Sequence, residues 1–489
     1  NRLPIVLTQN ENGEWQVQSG SGGLVTALAP VLRNRGGIWI GWPGTVEKEC
    51  GNLEKALAQE TKNFGYTLKP VNLTTEDKEK YYDGFANEII WPLFHDFAAH
   101  CNFNPDYWLA YQQVNHKFAK VIMQNVRQND FIWVHDYHLT GVAKELRKMG
   151  VQSRIAFFLH IPFPPLDIFV RLPWRFQILH ALLEYGLIGF QTLRDRRNFV
   201  QCVRTLIQGT RIFGKGQVIT MQFENREIRV CAIPISIDFE EFAKLASAKE
   251  VCDKAWYIHE DLPNLKLFLG VDRLDYTKGI PERLKAFRRA LIRFPELQQK
   301  ATLIQVVVPS RRSIPKYAAL KTEIERLVGE INGQLTRSGW VPIHYIFRSL
   351  ERPELLAYYR TSEIALITPL KDGLNLVAKE YCACNLEGNG VLIISEFAGA
   401  AAQLQKYAIL VNPHDIEGIA EAIYHAFKMD FDERKARMRK LRQIVRRYNI
   451  FWWVDSFLRA AFAKNLNNFP LLEDYIPVAE ISWTKNASS

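Results

Sequence analysis

Ile364-Ala365-Leu366-Ile367-Thr368-Pro369 and then Lys371-Asp372-Gly373-Leu374-Asn375-Leu376-Val377-Ala378-Lys379-Glu380 carry the chain from a buried strand through a polar loop into a helix. The first run is short, apolar and closed by Pro369, as a strand buried on both faces of a parallel sheet requires. The helix is expected to start near Leu376. Asn375 fits its N-cap, Gly373 lets a ligand approach the backbone, and first-turn N–H groups lack intrahelical partners, so the joint suits a phosphate. Glu380, about one turn further on, puts a carboxylate where it can accept hydrogen bonds from a sugar hydroxyl of the same ligand. The plainer alternative is that Asp372 and Glu380 only complement the positive end of the helix.

Two more joints of the same kind follow apolar runs. Leu267-Phe268-Leu269-Gly270-Val271 leads into Asp272-Arg273-Leu274-Asp275-Tyr276-Thr277-Lys278-Gly279, and a helix opens at Pro281, a favoured residue for a first turn. Arg273 suits a bidentate grip on a diphosphate and Lys278 a point-charge contact, although most Lys and Arg are simply solvated. The third joint is Val306-Val307-Val308-Pro309-Ser310-Arg311-Arg312. Open parallel sheets bind ligands beyond the carboxyl ends of their strands. Cation, cation and carboxylate loops at three such ends therefore point to one phosphorylated ligand.

A chain of 489 residues is too long for one ordinary core and suits two domains of roughly 240 each. Alternating strand and helix patterns make both α/β. In the first half, strands are expected at Ile38 to Trp42, Phe131 to His135, Ile155 to His160, Leu187 to Gln191 and Ile228 to Pro234. Helices are expected at Leu24 to Arg33, Glu76 to Phe94, Tyr107 to Val126, Thr140 to Lys148 and Asp195 to Ile207. A linker near Pro234 to Asp238 separates residues 1–236 from 237–448, where Leu267, Leu303, Tyr345, Ala365, Leu392 and Ile409 mark a second parallel sheet. Residues 449–489 form a helix and tail, with aromatic residues from Phe451 to Phe462 at helical spacing.

With 47% hydrophobic and 23% charged residues the composition is that of a globular protein, and no run reaches the ~18 consecutive apolar residues of a membrane span. Seven cysteines, odd in number and without CxxC spacing, argue for reduced thiols in a cytoplasmic protein and against a disulfide framework or zinc. The formal charge of +10 suits phosphorylated substrates. Nucleic acid is disfavoured: the basic residues are dispersed, the densest run (Arg434 to Arg447) reads as an exposed helix face, and no nucleic-acid module is present. No His cluster has metal-ligand spacing, and Asp430-Phe431-Asp432 reads as the start of the basic helix.

Together with Asn1-Arg2, Ser21-Gly22-Gly23-Leu24, Gly41-Trp42, Tyr81-Tyr82, Trp91-Pro92, Trp133 to His138, Phe157 to Pro164, Gly189-Phe190-Gln191-Thr192, Ile331-Asn332-Gly333 and Glu396 to Ala401, these joints resemble the trehalose-6-phosphate synthase family of retaining glycosyltransferases. The likeness runs along almost the whole chain. It implies a GT-B fold, two Rossmann-like domains with a ligand cleft between them, in which the last helix crosses back to the first domain. The Asn1-Arg2 pair there follows a first β-strand that this sequence does not include.

The resemblance further implies transfer of glucose from a nucleotide-diphosphate glucose such as UDP-glucose to glucose 6-phosphate with retention, giving trehalose 6-phosphate, a product of trehalose biosynthesis and osmoprotection. In the family's front-face mechanism a phosphate oxygen takes the acceptor's proton, so no protein nucleophile, metal or cofactor is required. The implied donor site comprises Gly23, His160, Arg273, Lys278, Asp372, Gly373, Asn375, Leu376, Val377 and Glu380. The implied acceptor site comprises Arg2, Trp42, Tyr82, Trp91, Asp136 and Arg311. Asp136, His160, Arg273, Lys278 and Asp372 lie at the reaction, with His135 and His138 structural. Asp136 can alternatively cap a helix beginning near His138.

Two positions depart from the family. Leu374 replaces the usual Met of Arg-Asp-Gly-Met-Asn, as in the glucosylglycerol-phosphate synthases, which use glycerol 3-phosphate. Arg312-Ser313 stands where many relatives have Gly-Asp. A glucosylglycerol-phosphate synthase and, in a different class, a nucleotide-sugar 2-epimerase are the alternative readings. The donor base is left undetermined, and a homo-oligomer is left open.

Overall fold

The computed structural model describes residues 2–9, 15–20, 23–46, 57, 64–311, 314–464, 466 and 469. Asn1, Ser21-Gly22 and Arg312-Ser313 lie outside the described residues. The described residues form two compact units, one running to Ile235 and taken up again from Ile450, the other running from Ser236 to Asn449.

Among its described residues unit 1 holds ten strands: β1 (Ile5–Gln9), β2 (Trp15–Ser19), β3 (Ile38–Gly41), β4 (Thr67–Pro70), β5 (Phe131–His135), β6 (Arg154–Phe158), β7 (Leu187–Phe190), β8 (Arg211–Phe213), β9 (Val218–Phe223) and β10 (Arg226–Ala232). Six form one sheet in the order β5-β6-β7-β10-β9-β8. Its β5-β6-β7-β10 part is parallel, and β10-β9-β8 is an antiparallel meander. The strands β6 and β7 are nearly all apolar and buried, as two covered faces demand. The β3-β4 pair is a separate parallel ribbon, and Arg2 bridges Trp42 beside it in parallel register.

The helix Ile450–Phe462 packs within this unit. Trp133 of β5 stacks on Phe457 at 4.3 Å, and the Trp453 indole donates to the Ile233 carbonyl at 3.0 Å. Gly189 makes that approach possible, since a Cβ there would lie 2.4 Å from Phe158 and 2.7 Å from Phe457. Arg229 donates to the carbonyls of Ala460 and Ala463 and so satisfies the end of the helix.

The stretch expected as one α-helix from Glu76 to Phe94 is different. A capping box at Thr74 starts Thr75–Asp77, the chain then widens into a π-helix over Lys78–Ile90, and Trp91–Phe94 is α-helical again. Nine residues of α-helix, at about 3.6 per turn, would put Tyr82 and Trp91 on opposite faces. The wider i→i+5 turn brings both to one face.

Unit 2 holds β11 (Lys266–Arg273), β12 (Ala301–Val308), β13 (Ile343–Ile346), β14 (Ile364–Ile367), β15 (Val391–Ser395) and β16 (Ile409–Val411). They form one all-parallel sheet in the order β13-β12-β11-β14-β15-β16. Counted from β11 this is the doubly wound order 3-2-1-4-5-6. Its core is aliphatic, with Leu303, Ile364, Leu366 and Ile393 packed against helix residues such as Leu284, Ile324 and Ile423. The order reverses between β11 and β14, and the loops after these two strands flank the crevice where such sheets bind ligands. No described helix is long and apolar enough to cross a membrane.

Candidate functional site

In unit 2 the first two joints meet at that switch point. After β11, Asp275 caps the short turn Tyr276–Lys278, its Oδ1 accepting from the Thr277 N–H at 3.1 Å and hydroxyl at 2.9 Å. Gly279 then turns the chain at φ 63°, where a Cβ would lie 2.4 Å from the Thr368 carbonyl. The helix Ile280–Arg293 follows, with proline in its first turn. After β14, Asp372 gathers three donors: Lys278 Nζ at 2.6 Å, the Leu374 N–H at 3.1 Å and Asn375 Nδ2 at 3.2 Å. Lys278 and Asp372, 94 residues apart in sequence, are therefore one ion pair.

Asn375 is the N-cap of Leu376–Cys384, accepting from the Ala378 N–H at 3.2 Å, but at φ 52° rather than in the usual extended conformation. That one bond leaves the first-turn N–H groups of Leu376 and Val377 without an intrahelical acceptor. Glu380 receives the Tyr359 hydroxyl at 2.9 Å, and burial pushes its carboxyl upward. The segment Glu396 to Ala401 clamps the loop: Gly399 N–H donates to the Asp372 carbonyl at 2.7 Å, and a Cβ on Gly399 would lie 1.9 Å from the Gly373 carbonyl oxygen. Gly399→Ala is accordingly expected to cost on the order of 1 to 3 kcal/mol of stability and to displace Gly373, measurable as a lower Tm and weaker nucleotide-sugar binding. An unchanged Tm with unchanged binding would show that the loop accommodates the methyl group.

Arg273, at the end of β11, is exposed, and Arg311 is bound into the same loop system. Arg311 Nη1 is 3.1 Å from Asp275 Oδ2 and 2.5 Å from the Tyr317 hydroxyl. Burial drives the Asp275 carboxyl up, but Arg311, Arg273 and Lys278 outweigh it and hold it below its ordinary value. A cavity of about 570 Å³ beside Phe239, Leu386, Arg439 and Arg442 lies at the other end of the Leu376–Cys384 helix and holds none of the expected residues.

In unit 1 the expected acceptor residues converge through aromatic contacts. The Arg2 guanidinium lies 5.1 Å from the Trp42 ring, and Trp42 packs on Tyr82 at 5.1 Å. Tyr82 stacks on His138 at 5.7 Å, while His138 packs tilted on Tyr137 at 3.9 Å, and Tyr137 tilted on Trp91 at 5.9 Å. Asp136 stands directly before this cluster, after β5. It does not cap the Tyr137–Leu139 turn; at φ 74° its Oδ1 instead accepts the His160 backbone N–H at 3.2 Å. Asp136 and the His160 ring are thus not a catalytic dyad. The ring of His160, 5% exposed, is bonded to Gln191 and His135 instead. Gly23 opens the helix Gly23–Arg35.

Three expected residues, Asp136, Arg311 and Asn375, are among the seven described non-glycine residues with positive φ. Backbone strain of this kind is retained where surrounding contacts over-determine it, characteristically at functional sites. From the sequence alone Asp275, Arg283 and Gln191 have no role, and His138 is structural. Asp275 had a local signal, since Asp-x-Thr after a strand favours a side-chain-capped turn; Gln191 lay in one of the family-like segments, and Arg283 had no signal. Among the described residues no group of three His, Cys, Asp or Glu side chains is placed to hold a metal ion.

Two Rossmann-like α/β units, one with a ligand-ready switch point, define a GT-B glycosyltransferase. A family model described as glycosyltransferase family 20 matches residues 1–462. The chain belongs to that family. A trehalose-6-phosphate synthase of Mycolicibacterium vanbaalenii is 40% identical over 469 residues, covering 95% of each chain. The structure of an α,α-trehalose-phosphate synthase (UDP-forming) from Burkholderia xenovorans in complex with glucose-6-phosphate superposes with a TM-score of 0.83 at 36% identity, covering 90% of this chain and 96% of that one. An E. coli structure bound with UDP-2-fluoro glucose also gives 0.83, at 35% identity, covering 91% of this chain and 97% of its own.

Proposed function

We propose that this chain is a retaining glucosyltransferase that moves glucose from a nucleotide-diphosphate glucose, UDP-glucose above all, to glucose 6-phosphate, releasing trehalose 6-phosphate. The observation that carries the reading is the meeting of Lys278 and Asp372 at the switch point, beside the first turn of Leu376–Cys384, where Asn375 caps the Ala378 N–H and leaves those of Leu376 and Val377 without an intrahelical acceptor. Helix N–H groups and cations suit a diphosphate, and the Asp372 carboxylate beside them can accept hydroxyls of the attached sugar. Glu380 accepts a ribose hydroxyl. Arg273 and Lys278 stabilise charge that grows on the departing diphosphate, which then takes the acceptor's proton.

Arg2, Trp42, Tyr82, Trp91 and Arg311 hold glucose 6-phosphate, aromatic faces against the sugar and cations against the phosphate. Asp136 orients the reacting groups and His160 faces the donor sugar. No resident metal or cofactor is part of this reading. A cytoplasmic setting belongs to it, in keeping with the six described cysteines, all free thiols. A homo-oligomer is left open by this reading, and sedimentation would decide it.

The deciding experiment supplies UDP-glucose with either glucose 6-phosphate or glycerol 3-phosphate and identifies the product. A phosphorylated α,α-linked disaccharide is expected. Glucosylglycerol phosphate, the outcome that Leu374 would favour, or an epimerised donor would overturn the reading. Arg311→Ala is expected to raise the KM for glucose 6-phosphate by about 10-fold to 100-fold, a loss of roughly 1.5 to 3 kcal/mol, and Tyr82→Phe by less, about 0.5 to 1.5 kcal/mol. Some donor effect should accompany Arg311→Ala because Asp275 loses a partner. Unchanged saturation by glucose 6-phosphate in both variants would remove these residues from the acceptor site.

A further inference from the structure

Gln191 follows β7 and is 2% exposed. Its amide has only one permissible orientation. The Ile235 backbone N–H points at one end from 2.9 Å, and because an N–H only donates, that end must be the oxygen. The other end is then the NH₂ group, which also only donates, and it lies 3.2 Å from His160 Nδ1. Nδ1 must accept, so the proton of a neutral His160 is on Nε2. Nε2 is 3.1 Å from His135 Nδ1, which must accept in turn. A single donor direction runs from Ile235 through Gln191 and His160 to His135.

The surroundings hold the relay uncharged. Both rings pack on Trp453, the His160 ring buried and that of His135 half-buried, and His160 also packs on Phe158 at 4.8 Å. Burial lowers the His160 imidazole to about 3, and burial together with the neighbouring His160 takes His135 well below its ordinary value. The charged group beside His160 is Asp136, whose Oδ1 is engaged by the His160 backbone N–H. A second proton on Nδ1 would meet the Gln191 NH₂, donor against donor.

We propose that Gln191 is a positioning residue: it fixes His160 as the neutral, Nε2-protonated tautomer, so that His160 meets the donor sugar as an oriented, uncharged group and never as an acid or base. The tautomer follows from geometry alone; its consequence for catalysis rests on the glucosyl-transfer reading above.

Nitrogen-15 NMR of the ring nitrogens in the full chain, assigned with His160→Asn, tests the first half. The expected spectrum shows His160 protonated at Nε2 and no titration between about pH 5 and 8. Protonation at Nδ1, or titration in that window, overturns the proposal. Kinetics test the second half. Gln191→Glu offers Nδ1 an acceptor and a negative charge, so His160 is expected to bind a proton near neutrality and add an ionisation absent from the wild-type kcat profile.

Gln191→Leu is expected to lower kcat by about 10-fold to 100-fold through lost orientation, with no new ionisation and an unchanged KM for glucose 6-phosphate. A Gln191→Glu profile identical to wild type overturns the positioning role. If neither variant folds, the wild-type spectrum alone still decides the tautomer. Failure of the wild type to transfer glucose, with His160 protonated at Nε2, would overturn the catalytic half together with the functional reading and leave the tautomer standing.

Discussion

Lys278→Ala and Arg273→Ala are each expected to lower kcat by about 10²-fold to 10³-fold while leaving acceptor saturation nearly unchanged. As the glycosidic bond lengthens, negative charge builds on the diphosphate, and a fixed cation there gains more in the transition state than in the ground state. Lys278 should matter more. Its side chain is only 12% exposed and ion-paired with Asp372, so the charge acts in a shielded site, whereas Arg273 is exposed and its field is screened. Removing Lys278 also takes a donor from Asp372, which the Leu374 N–H and Asn375 Nδ2 share, and loosens the loop that carries Gly373 and Asn375. Single-turnover kinetics at saturating UDP-glucose and glucose 6-phosphate separate chemistry from binding. Near wild-type turnover in both variants would show that the diphosphate is held elsewhere.

The second large effect concerns stability. Arg283 is fully buried and donates to Asp272, to Gln305 Oε1 at 3.2 Å, to Thr368 Oγ1 at 3.1 Å and to the Lys278 carbonyl at 3.3 Å. It thereby ties β11 and β12 to the two loops that form the switch-point site. Arg283→Ala leaves Asp272 buried without its cation, and breaking a buried pair in this way costs about 3 to 5 kcal/mol. A strongly lowered Tm is expected, with reduced activity in whatever remains folded, because both loops lose a common anchor. Adding Asp272→Asn to Arg283→Met, which removes both charges, should restore part of the loss. Denaturation curves for the single and double variants provide the check, and a single variant as stable as wild type would mean the pair contributes nothing net.

The parts of the site that are legible in the sequence are those whose cause is local. A strand buried on both faces must be a short apolar run, a helix must leave its first N–H groups unpaired, and Asn before Leu376 or Pro in the first turn of Ile280–Arg293 answers that need within a few residues. The joints after β11 and β14, the cap at Asn375, the six strands of the unit 2 sheet and the parallel strands β5, β6, β7 and β10 were therefore legible in order, whereas the antiparallel β8 and β9 were not, and the run at Ile38 belongs to a separate ribbon. Their roles came from a family likeness spread along the chain.

What local pattern could not decide is which distant groups each side chain meets. A helix reading of Glu76 to Phe94 sets Tyr82 and Trp91 apart, and only the π-helical turn, with Trp42, Tyr137 and His138 packed against it, gathers them. Lys278 was a solvated cation or a ligand until it met Asp372. Asp136 was a site residue or a helix cap, and its carboxylate accepts the backbone N–H of His160, just past β6.

From sequence alone the protein was an α/β chain of two domains with phosphate-suited loops after particular strands, because strand burial, helix caps and turn chemistry act over a few residues. Tertiary structure alone decided the strand order that places those loops at one switch point, the buried Arg283 that joins them, and the amide of Gln191 that sets a histidine's proton. These depend on groups 11 to 96 residues apart, such as Arg283 with Asp272 and Leu267 with Glu363, whose meeting is specified by packing of the whole core and not by any short stretch.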